Sequence, residues 1–71
     1  MTTATYLLPT GAARFTLRRR YGLIVVTEDG TGIVKVTADR ARAEAVGRRR
    51  AGWPGRYFLL DRDTGTVEEI R

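Results

Sequence analysis

From Arg14 the chain alternates, with Phe15 and Leu17 on one side and Arg14, Thr16 and Arg18 on the other, the period of two that marks a half-buried strand. Arg19-Arg20 breaks the alternation, and Gly22 permits a bulge or bend. Leu23-Ile24-Val25-Val26 is then apolar without interruption, as a strand covered on both faces is, so it is the expected centre of a sheet. Glu28-Asp29-Gly30-Thr31-Gly32 follows. Asp-Gly between β-branched runs predicts a hairpin, because glycine reaches the positive φ that the tight turn needs. Ile33–Val36 is the returning strand, antiparallel to Leu23–Val26.

Beyond Val36 the spacing lengthens to three and four, and the pattern predicts a helix from Ala38 through Arg50. Thr37 reads as its N-cap, with Asp39 in the first turn where a negative charge suits the helix dipole. Arg48, Arg49 and Arg50 complement the negative C-terminal end, and Gly52 is the expected left-handed stop, or Gly47 one turn earlier. Ala38, Ala41 and Ala45, with Val46 beside them, form a small-residue stripe suited to close packing on a sheet. After the Trp53-Pro54-Gly55 turn, Tyr57–Leu60 is a short strand. Asp61 to Gly65 is a second hairpin turn, in which aspartate accepts backbone hydrogen bonds and Gly65 takes positive φ. Thr66–Ile70 closes the chain as an edge strand guarded by Glu68 and Glu69. At the other end, Tyr6-Leu7-Leu8 reads as a short edge strand stopped by Pro9 and Thr10-Gly11, with residues 1–5 as a flexible arm.

These elements describe one α+β domain over residues 1–71: a small, mostly antiparallel sheet of 4–5 strands with one helix packed across it, in the order β-β-β-α-β-β. In element order it resembles the ubiquitin-like grasp, which also places one helix between two hairpins. An open barrel with a short helix is the alternative. A chain of 71 residues buries a modest core, about 60% of its unfolded surface for a domain of this size. A well-packed monomer and a homodimer sharing a core are therefore both open routes to stability.

Composition narrows the chemistry. The chain has 12 Arg and 1 Lys against 8 acidic residues, and no Cys, His, Ser, Asn or Gln. That removes disulfides, thiolate and serine nucleophiles, the usual general base and the commonest metal ligand. The acidic pairs Glu28-Asp29, Asp61/Asp63 and Glu68-Glu69 sit at turns or an edge, where capping and solubility explain them. Asp61-x-Asp63-x-Gly65 is too short for a calcium loop. Gly30-Thr31-Gly32 opens a strand, whereas a phosphate loop would open a helix. Lys35 reads as a solvated cation on the outer face of its strand. The expectation is a protein that is not an enzyme and carries no metal or cofactor. With its longest strictly apolar run only four residues, at Leu23–Val26, and no basic-then-apolar leader, it is expected to be cytoplasmic and not membrane-bound.

Charge points to binding. Up to Arg56 there are 11 basic and 4 acidic residues, net +7, whereas the last 15 residues carry 2 basic and 4 acidic, net −2. Two triplets dominate, Arg18-Arg19-Arg20 and Arg48-Arg49-Arg50, the second extended by Arg56. Guanidinium groups grip phosphate bidentately and stack on bases, and Trp53, Tyr57 and Tyr21 flank these arginines as candidate stacking surfaces. The leading expectation is therefore DNA or RNA bound with little sequence specificity through Arg18, Arg19, Arg20, Arg48, Arg49, Arg50, Arg56, Trp53 and Tyr57. The competing class is a protein-interaction module, such as a phage or mobile-element accessory protein that inhibits or redirects a host protein through an acidic surface patch. The cheapest discriminator is spatial: a nucleic-acid groove needs both arginine triplets on one face.

Overall fold

A computed structural model describes residues 3–50 and 52–71. It contains six strands and one helix: β1 (Thr3–Leu8), β2 (Gly11–Thr16), β3 (Tyr21–Thr27), β4 (Gly30–Thr37), α1 (Arg40–Arg49), β5 (Arg56–Asp61) and β6 (Thr66–Ile70). Four strands precede the helix, one more than the expected order. They do not join one sheet: β1 and β2 form a separate two-stranded hairpin, and the other four pair in the order β4-β3-β5-β6. Every pairing is antiparallel, including that of the inner strands β3 and β5. The α+β class is as the pattern predicts, with one helix across a four-stranded antiparallel sheet. Of the expected N-terminal arm, Thr3 to Thr5 belong to β1 and pair with Arg14 to Thr16; residues 1 and 2 lie outside the described residues.

The domain has three layers, because the central strands are apolar on both faces. On one face, Ile24, Phe58 and Leu60 meet Tyr6, Leu8, Phe15 and Leu17 of the N-terminal hairpin in a single buried cluster, with Val26, Val36 and Val67 at its margin. Leu17 lies just past β2 but stays in that core, against Gly22: a Cβ there would stand 2.7 Å from Leu17 Cδ2. On the other face, Leu23 packs under α1, and Tyr57 and Leu59, also buried, project to the same side by alternation. Each fully buried Leu, Ile or Phe contributes about 1.5–3 kcal/mol, so the two thin cores together hold the sheet. The register shift in β3 falls between Leu23 and Ile24, one residue past the expected position at Gly22. Within the hairpin-side core the Tyr6 hydroxyl is buried without a hydrogen-bond partner, and that burial raises its pKa.

The first hairpin turn falls one residue earlier than the Asp-Gly pair predicts: Glu28 and Asp29 form it without positive φ, and Gly30, at φ +133°, opens β4 opposite Thr27. The second is as predicted, with Gly65 at φ +73° and its N–H donating to the Asp61 carbonyl at 2.7 Å. The helix departs from expectation in three ways. Its N-cap is Asp39, whose carboxylate accepts from the Ala41 N–H at 2.9 Å, while Thr37 Oγ1 accepts from the Asp39 N–H at 3.1 Å. The two polar residues thus act in relay, and the helix starts two residues later than Ala38. Neither Gly47 nor Gly52 stops it, since neither takes positive φ; Arg50 caps it with φ −95° and ψ 2°.

The buried face is also different: Ala43 and Gly47 are buried, while Ala38, Ala41 and Ala45 are exposed. At 100° per residue, Ala41 and Ala45 share their side of the helix with Arg42, Arg48 and Arg49, and burying that stripe would carry three guanidinium groups into the sheet. The Ala43–Gly47 side carries Arg40 and Arg50, but these stand at the two ends of α1, where Arg40 reaches Glu44 and Glu68 and Arg50 stacks on Trp53. Contact is close enough that a Cβ on Gly47 would lie 3.1 Å from Ile70 Cγ2 and 3.2 Å from Leu23 Cδ1. An ion-pair chain secures one flank, with Arg40 pairing with Glu44 at 2.8 Å on α1 and with Glu68 on β6.

Candidate functional site

Three of the seven arginines singled out from the sequence, Arg20, Arg48 and Arg56, have a carboxylate partner within 4 Å. Arg20 donates through Nε and Nη2 to both oxygens of Asp61, at 3.1 and 3.2 Å, and approaches Asp63 at 3.6 Å. Its guanidinium also lies 5.1 Å from the Tyr21 ring centre. Arg56 makes the same two-pronged contact with Glu69, at 3.0 and 2.9 Å, over the Phe58 ring. Arg48 reaches back to Glu44 at 4.0 Å. These groups close the surface of the domain. They are already engaged with carboxylates in the free protein, which sets Arg20 and Arg56 apart from the cations left unpaired. Tyr57 drops out of the binding set: it is only 5% exposed, and its ring has no face to offer.

The bidentate pairs carry a pH signature. The Arg20 guanidinium holds the Asp61 carboxyl below the ordinary carboxylate range, helped by the Asp63 N–H that donates to Asp61 Oδ1 at 3.0 Å. Arg56 does the same for Glu69. A carboxylate depressed in the folded state stabilises the fold above its unfolded pKa, and that contribution is lost as pH falls through the folded value. Thermal unfolding followed by circular dichroism should therefore show a melting temperature that holds between about pH 5 and 8 and declines below about pH 4. Asp61→Asn should remove part of that acid-side decline. No histidine is present to titrate near neutrality.

Six cations remain without a carboxylate within 4 Å among the described residues: Arg14, Arg18, Arg19, Lys35, Arg49 and Arg50. Four of them border β4. Arg18 and Arg19, on the turn between β2 and β3, line a depression of about 200 Å³ with Val36. Lys35 lines an open groove of about 360 Å³ between β4 and α1, together with Arg42, Ala45, Val46 and Arg49. Lys35 and Val36 are consecutive and so point to opposite faces of the sheet. The two arginine triplets therefore do not share one face, and the single continuous groove expected of a nucleic-acid footprint joining them is not formed. They contribute one depression on each side of a single strand, and that strand is an edge whose outer backbone groups pair with no other described strand.

Lys35 and Arg42, the latter within 3.7 Å of the Asp39 carboxylate on the exposed side of α1, were not among the residues expected at a site. A signal for Lys35 is present in the sequence, as the one cation in the run Ile33-Val34-Lys35-Val36. Its partners on α1 emerge only once the buried face of the helix is known.

Arg50 and Trp53 form the remaining feature. The Arg50 guanidinium lies 4.7 Å from the centre of the Trp53 ring, and the Trp53 N–H donates to the Arg50 carbonyl at 2.9 Å. The ring is 57% exposed; it does not close the core. Arg49, in the groove, and Arg50, under the ring, are consecutive at the end of α1.

The domain is thus a small α+β fold with a cationic strand edge. Comparison with protein-family models, with curated proteins and with solved structures finds no match to this chain. Among the described residues no helix is long and apolar enough to cross a membrane, and no three acidic side chains gather as a metal site.

Proposed function

We propose that this protein is a binding protein that engages nucleic-acid phosphates along the β4 edge, with little sequence specificity. The observation that carries this reading is the sorting of the charges. Arg20, Arg40 and Arg56 are consumed by close carboxylate pairs, while Arg18, Arg19, Lys35 and Arg49 are left unpaired on the two sides of one exposed strand. Unpaired cations held together build a positive potential that an anion relieves, and a polyanion releases its counterions on binding. A site on both sides of an edge accepts an elongated ligand drawn over that edge; it does not form a closed pocket for a small molecule. Low specificity follows from the side chains present. Without Asn or Gln there is no bidentate reader of adenine, and base recognition is left to arginine and guanine.

An acidic protein surface would meet the same cations, and the open backbone of β4 supports that second reading, because an acidic strand can add to a free sheet edge. A second copy of this chain fits that edge poorly, since β4 beside β4 would set two rows of Arg18, Arg19, Lys35 and Arg49 against each other. The experiment is a mobility-shift or anisotropy titration of a fluorescently labelled oligonucleotide at about 50 mM salt and micromolar protein. Saturable binding is expected. No shift under those conditions would remove nucleic acid as the ligand and leave the acidic protein surface.

A further inference from the structure

Trp53 is the single tryptophan of the chain, and more than half its surface is exposed. An exposed indole on a domain with so modest a core forgoes burial that would have stabilised the fold. It is nevertheless held in place. Arg50 stacks against one side of the ring, and the backbone bond from Trp53 to Arg50 fixes the approach of the loop. The ring thus meets a cation on one side while more than half of the residue's surface is exposed.

Beside it, the Lys35–Arg42–Arg49 groove has a narrow apolar floor of Ala45 and Val46 between its cations. At about 360 Å³ it has room for a nucleotide or so, and it is too small to accept the width of a duplex. Arg49 lines the groove at the C-terminal end of α1, where Arg50 stacks on Trp53 and accepts the Trp53 backbone N–H, so the ring stands at the end of the helix that the groove reaches. A paired base is stacked on both faces within its helix and cannot use the ring. An unpaired one can, and stacking on an aromatic plane is sequence-tolerant because every base has a π-face.

We infer that the nucleic acid bound is single-stranded, with its phosphates in the Lys35–Arg42–Arg49 groove and one base stacked on Trp53. This rests on the phosphate-binding reading above. The test is a titration of the intact protein with a fluorescein-labelled dT12 strand and, separately, with the dT12–dA12 duplex, following dye anisotropy and Trp53 emission together. Expected are quenching of Trp53 by the single strand only, and affinity for it at least about tenfold above the duplex. Trp53→Ala should weaken single-strand binding about tenfold or more and change duplex binding little, with Trp53→Phe recovering part of the loss. An unchanged far-UV circular dichroism melt is expected for both variants, because the side chain lies outside the core. Equal affinity for the two forms without quenching, or a Trp53→Ala variant that binds dT12 as well as the parent, overturns the inference and leaves phosphate binding standing. Binding of neither form removes both.

Discussion

Replacing Phe58 with alanine is expected to abolish the folded state at 25 °C. The ring has no exposed surface and lies in the one cluster where the four-stranded sheet meets the N-terminal hairpin, among Tyr6, Leu8, Phe15, Leu17, Ile24 and Leu60. Phe→Ala in a core costs about 3–5 kcal/mol, and a single core in a domain this small supplies about that much. The hairpin has no hydrogen bonds to the larger sheet through strand pairing, so beyond the bond from the Arg62 side chain to the Leu17 carbonyl its attachment rests on this apolar contact. Loss of amide dispersion in a proton–nitrogen correlation spectrum, and loss of a cooperative melt, are the expected signs. Leu7→Ala is the control: Leu7 is on the outer face of the same hairpin and largely exposed, and its loss should move stability by less than about 0.5 kcal/mol. A Phe58→Ala protein that melts cooperatively near the parent temperature would show that the hairpin and sheet do not depend on each other.

The second large effect is expected at Gly47. Leucine there must place its whole side chain where even a Cβ would lie 3.1 Å from Ile70 and 3.2 Å from Leu23. Overpacking of this kind costs about 3 kcal/mol at the upper end of its usual range, and in a domain of this size that lowers the melting temperature by roughly 12–24 °C. Gly47→Ala sets a gain of about 1 kcal/mol in helix propensity against contact with side-chain methyl groups that can shift slightly, so its net effect should be small. Ala45→Leu is the informative partner. It lies on the stripe that spacing alone would bury, yet it is exposed, and the substitution should change stability by less than about 0.5 kcal/mol. Thermal denaturation of the three variants decides which stripe faces the sheet. If Ala45→Leu were the damaging one, the helix would be rotated by about half a turn.

That contrast shows where the sequence was readable. The hairpin turns after Thr27 and Asp61 were legible to within a residue, because the hydrogen bonds that Thr27 and Asp61 side chains accept from the next residues but one are decided within four residues. So were the alternation of Phe15 and Leu17, and the central place of Leu23–Val26. The helix face was not local. Two small-residue stripes were available, and the choice between them depended on which one would carry Arg42, Arg48 and Arg49 into the sheet. Tyr57 looked like a stacking residue beside the arginines because nothing in Tyr57–Leu60 reveals that both faces of that strand are covered, one by α1 and one by a hairpin more than 40 residues upstream. Arg20 looked like part of a basic triplet because its partner Asp61 is 41 residues away. A charge run records how many cations there are and not which of them remain free. The binding surface therefore contracted from two triplets to the unpaired members, Arg18, Arg19 and Arg49, and gained Lys35 and Arg42 from β4 and the exposed side of α1.

The central claim, that the unpaired cations beside β4 and not the overall charge hold a polyanion, is tested most directly by the salt dependence of oligonucleotide binding in two charge-matched variants. One replaces Arg18, Arg19, Lys35 and Arg49 with alanine; the other replaces Arg14, Arg48, Arg62 and Arg71, lowering the net charge equally. With four phosphates engaged on a single strand, the parent should show a slope of log K against log salt of about −3. The β4-edge variant should bring that slope close to zero, and the control variant should leave it near the parent value. Equal flattening in both variants, or an unchanged slope in the β4-edge variant, would contradict the assignment of the site.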